Sequence, residues 1–433
     1  MPEPKKVLII TYYWPPSGGA GVQRWVKFCK YLPEFNIEPI VLTVKNGTYP
    51  LIDETLTAQI PETLKVYKSR IFEPYSVFGK LIGKSSKEVS TPANAFTTEN
   101  ENLIKKIGVW IRANLFIPDA RRGWVPFAVK KAAQLIKTHN IQTIITTGPP
   151  NSTHLIGTKL KEKNPDIKWI MDMRDPWTKI FFNETIPRTS LATRIDETLE
   201  RRALSLADEV IVVSRGMAKL HNAIKNRAYN VIPNGFDHTD FQALTSETKN
   251  EKFTIKYIGS MTESAIPYDF FKAISELDTK SSSKISLQFF GSHNKILADT
   301  ISQFNLNGIV QFNDYIPHLE AKREMQTADL LLLVIPNTKD NELILTGKIF
   351  DYIAAQRPII YIGPIPGDAA EIIKEYNLGQ CFGYQDKSAI SQFLQNQLDG
   401  KAAPYSVWES DFKRHPFSRF TLTKQLKNLL PKD

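Results

Sequence analysis

The 433-residue sequence has only two cysteines, Cys29 and Cys381, far apart in the chain. So sparse a set excludes a disulfide framework and reads as ordinary buried thiols in a reducing compartment. Long apolar runs are missing too: Leu330–Ile335 is the longest, far short of the ~20 residues a membrane-spanning helix needs. Seven histidines show no H-x-x-x-H or Cys/His spacing, and no D-x-D is evident, so no metal site is expected. The opening "MPEPKKVLII" moves straight into a strand-like run and is read as lacking a secretory signal. With 42% hydrophobic and 23% charged residues, a globular protein of cytoplasmic location is expected.

Two common phosphate-binding fingerprints are absent as well. Val7–Ile10 suits a strand buried on both faces, and Gly18, Gly19 and Gly21 crowd the loop that follows. Glycines between such a strand and a helix let backbone N–H groups approach an anion. Arg24, however, stands where a dinucleotide fingerprint has its third glycine. The next strand ends in Lys45 and Asn46, with no acid for a ribose hydroxyl, and no G-K-[ST] follows the loop. The stretch alone fits an anion cradle or a plain glycine turn.

What is present in excess is positive charge, a formal +10. Residues 70–140 hold twelve Lys/Arg against five Asp/Glu. Basic residues there interleave with Trp110, Phe116, Trp124 and Phe127, which suits an anionic membrane surface. A solvated basic face is the alternative. Nucleic acid also attracts such charge, but no binding signature for it accompanies the basic residues, and none is expected as a partner.

Strand-like runs alternate with helical patterns throughout, the rhythm of parallel α/β architecture. Strands are expected at "KVLIIT", "IEPIVLTV", "TIITTG", "KWIMDM" and "EVIVVS", then at "FTIKYIGS", "ISLQFFGS", "IVQFND", "LLLLVIP" and "PIIYIG". The fold class is α/β, with two doubly wound Rossmann-like domains facing a cleft. Expected domains are 1–233, 234–410 and a C-terminal helix in 411–433 that packs back on the first. The Ser/Thr/Asn-rich stretch 78–102 is expected to be a mobile loop, and "TSETKNEK" (245–252) a connector.

Two constellations carry chemistry. "WIMDMRDPWTK" brings Asp172, Arg174, Asp175 and Trp177 to the end of a buried strand, where charges are costly unless paired or used. A structural Arg–Asp pair is the alternative to a catalytic one. In "ELILTGKIFDYIAAQRPIIYIG", Thr346, Gly347 and Lys348 open a helix that carries Asp351 one turn later. Lys348 and the helix N-terminus suit a pyrophosphate, and Asp351 suits a ribose diol. A helix cap with a Lys348–Asp351 salt bridge fits the same residues. Between the two, "VIPNGFD" (231–237) makes a turn at the domain junction.

The order of these motifs resembles the nucleotide-sugar glycosyltransferases of the GT-B fold, glycosyltransferase family four. The resembling stretches are "PPSGGAG", "IPNGFD", "YIGS" with Gly259 and Ser260, "KIFDYIAAQRPII", and "VQFNDYIPHLEAKREMQTADLLLLV" where the family holds the base. "RDPW" and "PDARRGWVPFA" look like a bacterial polysaccharide-assembly branch. Two departures stand out. Leu343 occupies the first position of the family's E-x7-E, beside Glu342, with Asp351 at the second. The cations usual after the G-[RS] loop are absent, leaving Lys348, with Arg24 or Arg174 in reserve.

The resemblance implies transfer of a hexosyl-type group from a nucleoside-diphosphate sugar to a glycan or lipid-linked acceptor in cell-surface polysaccharide synthesis. It implies retention of configuration without metal or cofactor. Asp175 and Arg174 are then catalytic, and Gly18, Gly19, Gly259, Ser260, Thr346, Gly347, Lys348 and Asp351 bind the donor. A peripheral place at the inner face of the plasma membrane follows from the basic segment. A GT-B sugar-nucleotide epimerase, or a non-enzymatic basic membrane- or nucleic-acid-binding module, are the alternatives.

Overall fold

The computed structural model describes residues 3–72, 103–179, 186–241, 250–408 and 411–431. The expected loop at 78–102 and most of the connector at 245–252 lie outside them. The chain divides into two compact units, Met1–Asn234 with Arg419–Asp433, and Gly235–Ser418. The junction thus falls one residue later than expected. Residues 411–418 belong to the second unit, because Phe236 N–H donates to Phe417 O at 3.0 Å and the two segments bridge side by side.

Unit 1 is a seven-stranded parallel sheet of β1 Lys5–Thr11, β2 Ile37–Val44, β3 Lys65–Ser69, β4 Thr143–Gly148, β5 Lys168–Met173, β6 Glu209–Val212 and β7 Asn230–Val231. The spatial order is β3-β2-β1-β4-β5-β6-β7. Alternate residues of each strand serve opposite faces: Leu8, Ile10, Ile40 and Ile144 join one core, Val7, Ile9, Val41 and Ile145 the other. Helices cover both faces: α1 Ala20–Tyr31, α2 Leu103–Leu115, α3 Val125–His139, α4 Ser152–Lys163, α5 Ser190–Leu206 and α6 Arg215–Ile224.

Unit 2 repeats the plan with six parallel strands, β8 Phe253–Ile258, β9 Ile285–Phe290, β10 Val310–Asn313, β11 Leu330–Val334, β12 Ile359–Ile362 and β13 Gly379–Phe382. They lie in the order β10-β9-β8-β11-β12-β13. Its helices are α7 Tyr268–Ser275, α8 Thr279–Ser282, α9 Lys295–Gln303, α10 His318–Gln326, α11 Lys348–Ala355, α12 Asp368–Glu375 and α13 Lys387–Leu398. The run Leu330–Val334 is wholly buried because its residues divide between the two cores.

The last helix, α14 Arg419–Lys427, belongs to unit 1. Leu422 and Leu426 join the core beneath α1, Phe420 packs against Tyr31 and Phe35, and Lys5 Nζ donates to Pro431 O at 2.6 Å. Both sheets reverse their strand order beside the first strand of the unit. Such a switch point leaves a crevice at the strand C-termini where ligands bind. In unit 1 it lies between β1 and β4, in unit 2 between β8 and β11. No described helix is long and apolar enough to cross a membrane.

Candidate active site

At the unit 1 switch point the acid that matters for folding is Asp172, fully buried near the end of β5. Its Oδ1 pairs with Arg24 Nη2 at 2.9 Å, and its Oδ2 accepts from Trp25 Nε1 and the Thr147 hydroxyl, each at 2.8 Å. Arg24 is equally buried, and its Nη1 donates to Pro233 O at 2.6 Å. Burial pushes the Asp172 pKa up, but the Arg24 and Arg174 charges and the Thr147 hydrogen bond hold it below the ordinary carboxylate range. The structural Arg–Asp pair therefore exists, with Asp172 and Arg24 as its members. Arg24, enclosed with its own carboxylate, is no reserve cation for a diphosphate.

Arg174 follows the same strand and turns back over the crevice. Its Nε donates to Gly148 O at 3.0 Å and its Nη2 to Pro149 O at 2.8 Å, both just after β4. The guanidinium points its Nη1 end at Gly21, where a methyl group would overlap it. Gly21 is thus the glycine the site requires, for close approach by a side chain. Gly18 instead donates its N–H to Leu51 O at 2.9 Å, which takes it out of an anion cradle. Gly19, with φ of 108°, begins α1 and faces open space. Asp175 is exposed. His154, behind Gly148, bonds Thr146 Oγ1 through Nδ1 at 2.9 Å, and burial drives its pKa down to about 3. It is a neutral packing group that the sequence reading did not single out.

Unit 2 gathers its groups just as closely. Tyr352 ties α11 to the sheet, its hydroxyl accepting from Ile258 N–H at 3.2 Å and donating to Leu332 O at 3.3 Å. That ties the helix to the end of β8 and to the middle of β11. Gly347 is the N-cap, and Thr346 Oγ1 accepts from Lys348 N–H at 3.4 Å. The Lys348 side chain lies against Gly259, whose φ of 114° admits glycine and whose missing Cβ leaves the ammonium room. Lys348 Nζ donates to Tyr257 Oη at 2.6 Å and sits 4.0 Å from that ring's centre. Tyr257 in turn donates to Ser260 O at 3.1 Å, while the Ser260 hydroxyl accepts from Ser292 at 2.6 Å.

Among the described residues no carboxylate forms an ion pair with Lys348, so its partner is a neutral phenol. Burial lowers its pKa to about 8. A half-buried cation without a counter-ion is costly unless an anion arrives to share the site. Asp351, half-buried in the first turn of α11, lies beyond Lys348. Leu343 is half-buried and Glu342 exposed in the turn Asn341–Leu343. Tyr257 went unnoticed in the sequence because a tyrosine in a buried strand reads as core; only its place one residue before "IGS" marks it.

The basic segment needs a correction. Arg121 is buried, donating to Thr48 O at 3.1 Å over the Tyr12 ring, and Trp124 is fully buried with its Nε1 on Ser69 Oγ at 2.8 Å. Both are core residues, because the short turn Arg122–Trp124 rotates them inward before α3 begins. Trp110, Leu115, Phe127, Arg122, Lys130 and Lys137 remain exposed.

Residues 88–240 match the family model described as Glycosyltransferase Family 4. No curated protein matches the sequence. Among solved structures, Anabaena Alr3699/HepE in complex with UDP-glucose is similar at 14% identity and a TM-score of 0.60, with 98% of each chain covered. The lipopolysaccharide outer core galactosyltransferase WaaB is similar at 12% identity and a TM-score of 0.56, over 98% of this chain and 99% of that one. Sucrose-phosphate synthase from Thermosynechococcus elongatus is similar at 13% identity and a TM-score of 0.56, over 98% and 94%. At such identities the likeness is one of fold. Residues 88–240 are thus similar to glycosyltransferase family 4, and the whole chain has the GT-B fold of two Rossmann-like domains.

Proposed function

We propose that the protein transfers a sugar from a nucleoside-diphosphate sugar to a glycan or lipid-linked acceptor, retaining configuration and without metal. The observation that carries this reading is Lys348: a partly desolvated ammonium without a counter-ion, at the switch point of unit 2, beside a glycine turn and at the start of a helix. A diphosphate supplies the missing charge, and fixed positive charge plus backbone donors stabilise it as a leaving group. HepE, solved with UDP-glucose, makes a uridine diphosphate sugar the first donor to test. Gly259, Ser260, Thr346 and Gly347 line the approach, Asp351 takes the ribose, and Glu342 is the nearest acid to the family's first donor-loop position.

In unit 1, Asp175 is the open acid available to the reacting sugar or acceptor hydroxyl, and Arg174 stands beside it as a fixed charge. Asp175→Asn is expected to leave folding and donor binding unchanged and to lower turnover about tenfold, the pattern of a group acting in the transition state. Early melting with turnover intact would assign Asp175 to structure instead. Calorimetric titration with UDP and a sugar-transfer assay make the comparison, and epimer formation without transfer would favour the epimerase reading.

A lipid-linked acceptor calls for a membrane-facing surface on unit 1. Phe127, Lys130 and Lys137 share one face of α3, at helical spacing, with Trp110 exposed on α2. Each basic residue near an anionic surface contributes about 1 kcal/mol. Co-sedimentation with anionic vesicles is therefore expected to fall by at least tenfold in the variant Lys130→Glu, Lys137→Glu and to weaken with salt. Equal binding to neutral and anionic vesicles would remove the membrane from the account.

A further inference from the structure

Helix α5 carries two acids on its buried side, Asp196 and Glu200, one turn apart and at 1% and 0% exposure. Asp196 Oδ1 accepts from Trp177 Nε1 at 2.7 Å, while its Oδ2 pairs with Arg188, whose Nη2 also donates to Pro118 O at 2.9 Å. Glu200 Oε2 accepts the Thr178 hydroxyl and, at 3.4 Å, the Thr178 N–H. Its Oε1 faces His221 Nε2 at 3.6 Å. His221 donates through Nδ1 to Met217 O at 2.9 Å, so Nε2 presents a lone pair to the acid.

Trp177 and Thr178 lie two and three residues after Asp175, with Pro176 between. Burying two carboxylates is costly, and apolar side chains join a helix to a loop at lower cost. What carboxylates add is direction, since each accepts from a particular donor at a particular angle. We propose that Asp196 and Glu200 are positioning residues for the transfer reaction, gripping Trp177 and Thr178 so that the residues directly after β5 present Asp175 in one orientation. The inference rests on the role given to Asp175 above.

The other groups around Glu200 are Lys179, Asp196 and Tyr229. Burial raises the Glu200 pKa to about 7 and lowers that of His221, so the imidazole is neutral and no ion pair forms, with Oε1 and Nε2 3.6 Å apart and beyond hydrogen-bond distance. Oε2 is the oxygen that accepts from Thr178, and Oε1 is the one turned toward His221. Glutamine reproduces the arrangement, with its amide oxygen toward Thr178 and its N–H toward His221.

The experiment compares Glu200→Gln, Glu200→Ala, Asp196→Ala and Thr178→Val in the full chain. Thr178→Val removes only the gripped hydroxyl and stands in should an alanine variant fail to fold. One readout is free of turnover: the Trp177 indole N–H resonance, assigned with Trp177→Phe. The others are kcat and the affinity for UDP. Expected is a displaced indole resonance in the alanine and valine variants, with kcat lower by roughly ten- to hundredfold. UDP affinity stays unchanged, and Glu200→Gln restores kcat to within about threefold. An unmoved resonance overturns the proposal. So does a displaced resonance with unchanged kcat while Asp175→Asn lowers kcat. If Asp175→Asn also leaves kcat unchanged, the role of Asp175 has failed and this inference falls with it.

Discussion

Asp172→Ala is expected to destabilise unit 1 by about 3–5 kcal/mol, the loss that follows when one partner of a buried ion pair is removed. The alanine strands the Arg24 guanidinium at zero exposure and leaves Trp25 Nε1 and the Thr147 hydroxyl without an acceptor. Arg24→Ala is expected to cost a similar amount, because Asp172 then keeps its burial and loses its charge partner. The double variant Arg24→Met, Asp172→Leu is expected to recover much of the loss, since apolar replacement of a whole buried pair is often neutral. Urea unfolding followed by tryptophan fluorescence reports selectively on this unit, because every tryptophan except Trp408 lies in it. A shift of less than 1 kcal/mol for Asp172→Ala would mean that water reaches the pair.

The second large effect has opposite signs in two measurements. Lys348→Met is expected to weaken UDP binding roughly ten- to hundredfold, the equivalent of a charge-assisted contact of ~1.5–3 kcal/mol. The same change is expected to make the ligand-free protein more stable at pH 7, by up to about 3 kcal/mol. Burial lowers the Lys348 pKa from 10.5 to about 8, so below pH 8 the folded protein carries the whole penalty of an ammonium that the unfolded chain solvates freely. Between pH 8 and 10.5 the unfolded chain binds more protons than the folded one, so that penalty fades and the stability difference between the two proteins closes. Binding follows the reverse course. A diphosphate raises the Lys348 pKa in the complex, so affinity is greatest below pH 8 and declines as the free enzyme loses the proton. Calorimetric UDP titration at pH 7 and pH 9.5, with melting curves at the same pH values, checks both. A Lys348→Met protein that binds UDP normally, or that is destabilised at pH 7, contradicts the assignment.

The architecture was legible because strands buried on both faces write themselves as apolar runs. Ten runs marked strands, and the three that escaped, β3, β7 and β13, end their sheets or last only two residues. A strand such as "KVYKS" has one neighbour and half-exposed side chains, so its composition resembles a loop. At the site, local order and tertiary order differ. Arg174 and Asp175 are adjacent in sequence and suggest each other as partners. Asp172 instead finds Arg24, which reaches it from the helix after β1, and no local pattern announces a contact of that separation. Lys348 stands out in the sequence because a cation opening a helix has few structural uses, and its role in holding a donor is the proposal made above. Arg121 and Trp124 were misread because spacing shows which residues share a face but not which face turns inward.

Helix α14 has a consequence for how the protein is made. It completes the core beneath α1, yet all of unit 2 precedes it in the chain. On a ribosome adding about 5–20 residues per second, the N-terminal strands and helices emerge roughly ten seconds or more before the segment that covers them. Throughout that interval Val22, Val26 and their neighbours stand where Leu422, Leu426 and Leu430 will later pack. A nascent chain therefore leaves this apolar surface uncovered until α14 has been translated, and a product ending anywhere within 235–418 lacks the helix that covers it.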